Sequence, residues 1–345
     1  MSFGCEKLRG GGNLRGVSRI QFCHAYKDII SVDNLLCAWR EFRKGKRAKR
    51  DVQEFEINLT NNILSLYEEL REKRYEHGGY HAFNISDPKP RSIHKALVRD
   101  RLLHHALYRK LYPFFDRTFV SDSFSCRNNK GTHRAIERFT AFGRKVSKNN
   151  TRTIFVLKCD VRKFFASIDH DVLFGILSIY IKDEDILWLL KKVVSSFNSG
   201  REGVGLPLGN LTSQLLVNIY MNEFDQFVKH KIGAKYYVRY ADDFVTLSDD
   251  KEYLERVLSR MGEFLKSNLR LALHPDKVYI KTLASGVDFL GWVHFPHHRV
   301  LRGATRRKML RNLANDPKEA ARISYLGLLK HGNAKRLECH IGPLA

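Results

Sequence analysis

The stretch Tyr236-Tyr237-Val238-Arg239-Tyr240-Ala241-Asp242-Asp243-Phe244-Val245-Thr246-Leu247 alternates in side-chain character on both sides of Ala241-Asp242. That pattern predicts a β-hairpin with adjacent acids at its turn. Two carboxylates flanked by apolar strands raise each other's pKa unless something positive lies between them. Divalent cations meet that need, and Mg²⁺ in particular prefers oxygen ligands. A third acid is available. Residues 153–161 (TIFVLKCDV) form an apolar, β-branched run closing on Asp160, which predicts a buried strand with a carboxylate at its end. A strand-end Asp with a hairpin Asp-Asp makes a candidate two-metal site. Two ions roughly 4 Å apart stabilise both the attacking and leaving oxygens of phosphoryl transfer. Asp-Asp is also an ordinary turn pair, and Asp249-Asp250, which lacks the apolar flanks, reads as a solvated loop.

The rest of the composition bounds what such a site could serve. The 345 residues predict two or three packed subdomains. A hydrophobic fraction of 43% is enough for a real core. Lys and Arg number 60 against 37 Asp and Glu, a net charge of +23, which points to a polyanionic partner. None of the six cysteines forms a C-x-x-C pair, so neither a zinc ribbon nor a disulfide scaffold is expected. The Gly-rich, basic start has no apolar core of a signal peptide, and no run of 18 apolar residues exists. A cytoplasmic protein without a membrane span is therefore expected.

Residues 1–18 look flexible, and 39–50 carry seven basic residues, either a solvated face or a phosphate-contacting patch. Val52, Phe55, Leu59, Ile63, Leu66 and Leu70 recur at helical spacing, so one amphipathic helix is predicted, ended by His77-Gly78-Gly79. A short strand is predicted at 80–85 and a turn at 87–90. Helices are predicted at 97–117, 131–147, 169–181 (capped by Asp169), 211–231 and 251–269. Strand structure is predicted at 287–295, with basic helices from Arg299 on. Strands and helices mixed around a hairpin indicate an α+β fold.

Seven motifs then fall in one order: 91–101, 123–135, Asp160 followed by Phe164-Phe165, 208–214, Tyr240-Ala241-Asp242-Asp243, 273–277 and 289–292. Together they resemble reverse transcriptases. The resemblance implies a right-hand polymerase: N-terminal extension and fingers over 1–150, a palm with an antiparallel sheet over 151–295 (part of 195–215 joining the fingers), and a helical thumb over 296–345. It implies that Asp160, Asp242 and Asp243 bind two Mg²⁺ ions, with Mn²⁺ as substitute and the Val161 carbonyl assisting. Phe165 matches an aromatic steric gate against the sugar 2′ position; the alternative is that Phe164 and Phe165 are both core. Because alternation at a strand end sends one ring each way, one of the two is expected in the core. Arg91 and Arg101 match triphosphate-holding positions, beside Leu208, Gly209 and Lys277 in the deoxynucleotide pocket. Lys277 is a candidate proton donor to pyrophosphate, with a solvated lysine as its alternative. Arg127, Lys130, Tyr240, Gln214, Gly291, Trp292, Arg306 and Arg307 match template–primer positions; for Arg127 and Lys130 ordinary surface charge is an equal reading.

Within that family the fourth motif departs from the usual Gln-Gly-x-x-x-Ser-Pro. Leu208-Gly209-Asn210-Leu211-Thr212-Ser213-Gln214 is similar to the enzymes of diversity-generating retroelements. That resemblance implies error-prone copying of a template RNA, with misincorporation opposite adenines, for rewriting a variable gene. Gln can hydrogen-bond near the incoming nucleotide and Leu208 cannot, which leaves pairing less policed. The implied partners are template RNA, the RNA/cDNA duplex, deoxynucleotides and a small basic helical accessory protein assembled as a pentamer. Intron-type, retron and phage-defence reverse transcriptases are the alternatives, together with a catalytically silent RNA-binding module on the same fold.

Overall fold

The structure is a computed structural model that describes residues 20–85, 90–315 and 319–342. The start expected to be flexible and most of the turn predicted at 87–90 lie outside those residues. In chain order the elements are α1 (Tyr26–Ile30), α2 (Val32–Phe42), α3 (Arg50–Ile57), α4 (Leu59–Arg71), β1 (Tyr80–Ile85), β2 (Arg91–Ala96), α5 (Val98–Phe115) and α6 (Thr132–Val146). Then come β3 (Phe155–Asp160), α7 (His170–Tyr180), α8 (Glu184–Ser195), α9 (Leu211–Gln226), β4 (Tyr237–Tyr240), β5 (Asp243–Ser248) and α10 (Lys251–Leu269). The chain continues through β6 (Tyr279–Thr282), β7 (Val287–Phe289), β8 (Trp292–His294), β9 (Arg299–Leu301), α11 (Gly303–Asn315), α12 (Glu319–Leu329) and α13 (Lys335–Ile341). The α+β class stands. No helix among the described residues is long and apolar enough to cross a membrane.

Two compact units interleave along the chain. One comprises Met1–Phe119, Lys163–Glu223 and Ser267–Leu271; the other comprises Val120–Arg162, Phe224–Lys266 and Ala272–Ala345. In the first unit, α2 packs on α5, where Asn34 Nδ2 donates to the Ala106 carbonyl at 3.2 Å. The β1–β2 hairpin is antiparallel. The helix predicted to run unbroken from Val52 to Leu70 is in fact two. Asn58, at φ −111° and ψ 36°, ends α3 and starts α4. An Asn side chain competes for backbone partners, which makes it a poor residue to carry a helix through. The apolar spacing survives the break because Val52, Ile63, Leu66 and Leu70 are all buried. The second segment ends at Arg71, ahead of the glycines expected to stop it.

The second unit is built on an antiparallel four-stranded sheet in the order β4-β5-β3-β6. The central strand β3 is buried along its middle, as a strand covered on both faces must be. One face of the sheet receives α6: Phe139 and Phe142 pack with Val156, Val238, Val245 and Leu247. On the other, Phe224 from the end of α9 meets Phe244 at 5.0 Å, and Phe264 of α10 stacks on Phe227 at 4.2 Å. The fully buried ones, Phe139, Phe142, Phe224 and Phe244, each contribute on the order of 1.5–3 kcal/mol by leaving water. The hairpin predicted at 236–247 forms as β4 and β5. Residues 299–301, expected to begin a helical region, first add β9 to β8, with Leu301 opposite Trp292; the helices start at Gly303.

Trp292 is 1% exposed and anchors a second cluster with Leu301, Met309, Leu329 and Ile341. Gly332 abuts its indole so closely that a Cβ would overlap the ring. Gly332→Ala is expected to cost about 1–3 kcal/mol through overpacking, and thermal unfolding should record it as a lower Tm. An unchanged Tm would show that this contact is slack.

Candidate active site

The sheet positions the acids through its register. Asp160, last residue of β3, is the direct partner of Asp243, first residue of β5. The β4–β5 ladder pairs Tyr240 with Asp243, leaving Ala241-Asp242 as a two-residue loop. Ala241 adopts φ +56°, the positive region such tight hairpin loops require. The loop is tied back to β3, since the Val161 amide donates to the Asp242 carbonyl at 3.1 Å. Asp160 is fastened from the other side, its carbonyl accepting from the His274 amide at 2.8 Å. Thus all three acids stand at one end of one sheet. The control pair Asp249-Asp250 is exposed, and Asp250 accepts from the Tyr253 amide at the start of α10.

Side-chain alternation sends Lys158, Asp160, Asp243 and Tyr240 to one face. Lys158 is 6% exposed, and its Nζ lies 2.9 Å from Asp243 Oδ1. Lys277 Nζ donates to Asp160 Oδ1 at 3.1 Å. Two ammonium groups therefore meet the charge of these carboxylates. Burial pushes the Asp243 carboxyl up to about 6, Asp242 and Asp160 add to the rise, and Lys158 opposes it. Lys158 was not among the sequence-predicted residues. Its only signal was a lysine in an otherwise apolar run, two places before Asp160.

The donor set suits a hard divalent cation, since it offers only carboxylate oxygens. Asp243 Oδ1 is buried and faces a cation already, the Lys158 ammonium 2.9 Å away. These features fit Mg²⁺. As the side chains stand, however, no three His, Cys, Asp or Glu among the described residues converge closely enough to hold an ion.

Other predicted residues of this unit have mixed settings. Val161 is 1% exposed and bridges Leu273. The Tyr240 hydroxyl accepts from Thr132 Oγ1 at 3.2 Å. Arg127 donates to the carbonyls of Val120 and Ser123, and Lys130 to that of Ser121, so both brace their own loop. Gly291, at φ +86°, follows Leu290 at φ +51° in the β7–β8 turn, while Trp292 turns inward as described above. Arg306 and Arg307 are exposed on α11.

The first unit holds the remaining candidates. Phe164 and Phe165 sit in a 3₁₀ turn rather than on a strand end. Phe164 is buried and Phe165 half-buried, their rings edge to face at 5.6 Å. One ring is core, as expected, but because the turn splits them rather than strand alternation. The fourth motif leans on β2: the His94 amide donates to the Leu208 carbonyl at 3.0 Å, and Asn210 Nδ2 donates to the His94 carbonyl at 3.0 Å. Gly209, at φ +110°, has no room for a Cβ against Ile93. Gln214 is half-buried on α9. Arg91 is exposed at the start of β2. Arg101 is 15% exposed and bound to Asp51 at 2.6 Å, with its guanidinium over the Phe42 ring.

A family model described as "Reverse transcriptase (RNA-dependent DNA polymerase)" matches residues 86–294, well over half of the chain. The chain is 27% identical over 276 residues to Protein YkfC of Escherichia coli (strain K12), covering 69% of this chain and 70% of that protein. It is 20% identical over 323 residues to the Putative COX1/OXI3 intron 2 protein of Saccharomyces cerevisiae, covering 74% of this chain and 36% of that one. To the Group II intron-encoded protein LtrA of Lactococcus lactis subsp. cremoris it is 21% identical over 260 residues, with coverages of 56% and 42%. The chain thus spans less than half the length of these two intron proteins. Among solved structures, telomerase from Candida albicans with a telomeric RNA fragment aligns at a TM-score of 0.49 and 11% identity, over 68% of this chain and 46% of that one; this likeness is too distant to argue from. The family match spans the sheet, the hairpin and all three acids, and the chain belongs to the reverse transcriptases, the RNA-dependent DNA polymerases.

Proposed function

We propose that Asp160, Asp242 and Asp243 are the catalytic acids of an RNA-directed DNA polymerase whose cDNA is error-prone at template adenines, as in diversity-generating retroelements. The observation that carries the catalytic assignment is the register setting Asp160 opposite Asp243, with Asp242 in the adjoining loop. Bound there, two divalent ions supply stabilisation of the attacking and leaving oxygens. Lys158 and Lys277 hold the acids' charge in the meantime, and Lys277, 3.1 Å from Asp160, is the proton donor to pyrophosphate in this reading. Phe165, whose ring is half-buried, is assigned the role of steric gate. Arg91, exposed, is the freer of the two triphosphate candidates, since Arg101 would first have to leave Asp51.

In this reading, 1–150 forms the fingers with the N-terminal extension, 151–295 the palm, and 296–345 a thumb whose Arg306 and Arg307 contact the duplex backbone. Such contacts carry affinity without sequence preference and weaken with salt. Template RNA and the RNA/cDNA duplex are the polyanions that the +23 charge would serve. The pentameric accessory protein belongs to the same proposal, as does a cytoplasmic setting.

The retroelement assignment rests on Leu208, held on β2 by its own carbonyl and carrying a side chain that can donate no hydrogen bond. A second reading, an intron-type enzyme, is favoured by relatives named as intron proteins. Fidelity separates the two.

Three measurements follow. Asp242→Asn should lower primer extension on the order of 10²–10³-fold or more, the scale of losing a preorganised charge, while RNA binding and Tm persist; robust extension would mean the acids are misassigned. Copying a defined RNA with Leu208→Gln should reduce errors opposite adenine, and an unchanged error spectrum would remove Leu208 as a fidelity determinant. Phe165→Ala should incorporate ribonucleotides in a direct competition assay, whereas strict deoxynucleotide use by that variant would end the gate role.

A further inference from the structure

Arg239 precedes the Tyr240-Ala241-Asp242-Asp243 turn and lies on the opposite face of β4 from Tyr240. It is 0% exposed, and so is Asp225, at the end of α9. The two form a forked pair: Nε donates to Oδ1 at 2.8 Å and Nη2 to Oδ2 at 2.7 Å. The Tyr237 hydroxyl donates to the same Oδ1 at 2.7 Å. Nη2 also donates to Ser123 Oγ at 3.0 Å. The backbone is fixed as well, because the Arg239 amide donates to the Asp122 carbonyl and the Phe124 amide to the Arg239 carbonyl. The guanidinium therefore has little freedom to move.

One of its donors leaves this network. Nη1 donates to the Ala241 carbonyl at 3.1 Å. Ala241 is the non-glycine residue at φ +56° in the loop, a conformation that persists only when the surroundings over-determine it. A sheet that needed only stability could bury apolar side chains here, because a buried ion pair is often no better than hydrophobic residues of the same volume. What apolar side chains could not do is hold the loop carbonyl from behind.

We propose that Arg239 is a positioning residue for catalysis: its bond to the Ala241 carbonyl, backed by Asp225 and Ser123, sets the shape of the loop that carries Asp242 and Asp243. The proposal deepens the catalytic assignment of those acids and rests on it. Asp243 sits on one face and the Arg239 guanidinium on the other, where it is also close enough to Asp242 to feel its charge.

The test uses two variants of the full chain. Arg239→Lys keeps a cation beside Asp225 but replaces the fork with a single ammonium, which cannot also reach the loop carbonyl. The triple variant Arg239→Met, Asp225→Leu, Tyr237→Phe removes the buried pair together with the hydroxyl that would lose its acceptor. Four quantities are read: Tm, RNA binding, Mn²⁺ binding by titration of its electron paramagnetic resonance signal, and primer extension against Mg²⁺ concentration. For each variant that keeps its Tm to within about 5 °C and its RNA binding, the Mn²⁺ midpoint should rise roughly tenfold or more, the worth of one hydrogen bond from a charged donor. The Mg²⁺ requirement for extension should rise in parallel, with Arg239→Lys no better than the triple variant, because charge alone does not brace the loop. A folded variant with wild-type Mn²⁺ midpoint and extension overturns the proposal. So does failure of both variants to fold, which would make the network a folding determinant instead. If Asp242→Asn also extends normally, the catalytic assignment itself has failed; if Asp242→Asn is dead while the Arg239 variants behave as wild type, only the positioning role has.

Discussion

Antiparallel pairing of β3 with β5 is the constraint on which this site depends. Strand side chains alternate, so a slip of one residue would turn Asp243 to the opposite face and place Asp160 opposite Phe244 or Asp242 instead. The slip is prevented by burial. Val156, Val245 and Leu247 share the face of the acids and pack under Phe139 and Phe142 of α6, whereas Phe244 packs on the other side with Phe224. The apolar contacts thereby hold polar groups in place, and the cost of exposing them keeps the acids together.

Concentrating three carboxylates at a sheet end is electrostatically expensive, and the protein meets that cost from two directions. On the face of the acids, Lys158 pairs with Asp243 and Lys277 with Asp160. Behind the loop, Arg239 is fully buried against Asp225 and reaches the Ala241 carbonyl. The lysines are flexible point charges that an incoming ion could displace. The guanidinium is a rigid fork with fixed partners, suited to shaping the loop whatever occupies the site.

Much of this was legible in the residues. The hairpin, the strand closing on Asp160, the Asp169-capped helix and the long helices over 97–117, 131–147 and 251–269 follow from local periodicity and capping, and the structure contains each of them. α2 and α8 were missed although both bury an apolar stripe at helical spacing, Leu35, Ala38, Trp39 and Phe42 in one and Ile186, Leu189, Leu190, Val193 and Val194 in the other. Other elements were missed where periodicity carried no information. β6 and β9 are four and three residues long, too short to show a pattern. The break at Asn58 was hidden because α3 and α4 bury the same kind of stripe. Phe164 and Phe165 looked like strand residues because the left-handed Lys163, φ +45°, gives no sign of itself in sequence.

By itself the sequence determined which acids flank which strands, the order of the motifs and hence the family, because these depend on residue type and spacing along one chain. Tertiary structure alone decided what meets the acids and what holds them. Lys158 reads as a misplaced charge until β3 is laid against β5. Asp225, 14 positions before Arg239, reads as the polar end of a helix until α9 is packed on the sheet. Arg101 reads as a free phosphate ligand until Asp51, 50 residues away, is found beside it. Each of these pairings joins groups whose sequence separation is arbitrary, and only the burial that folds the sheet and its helices brings them within a hydrogen bond of one another.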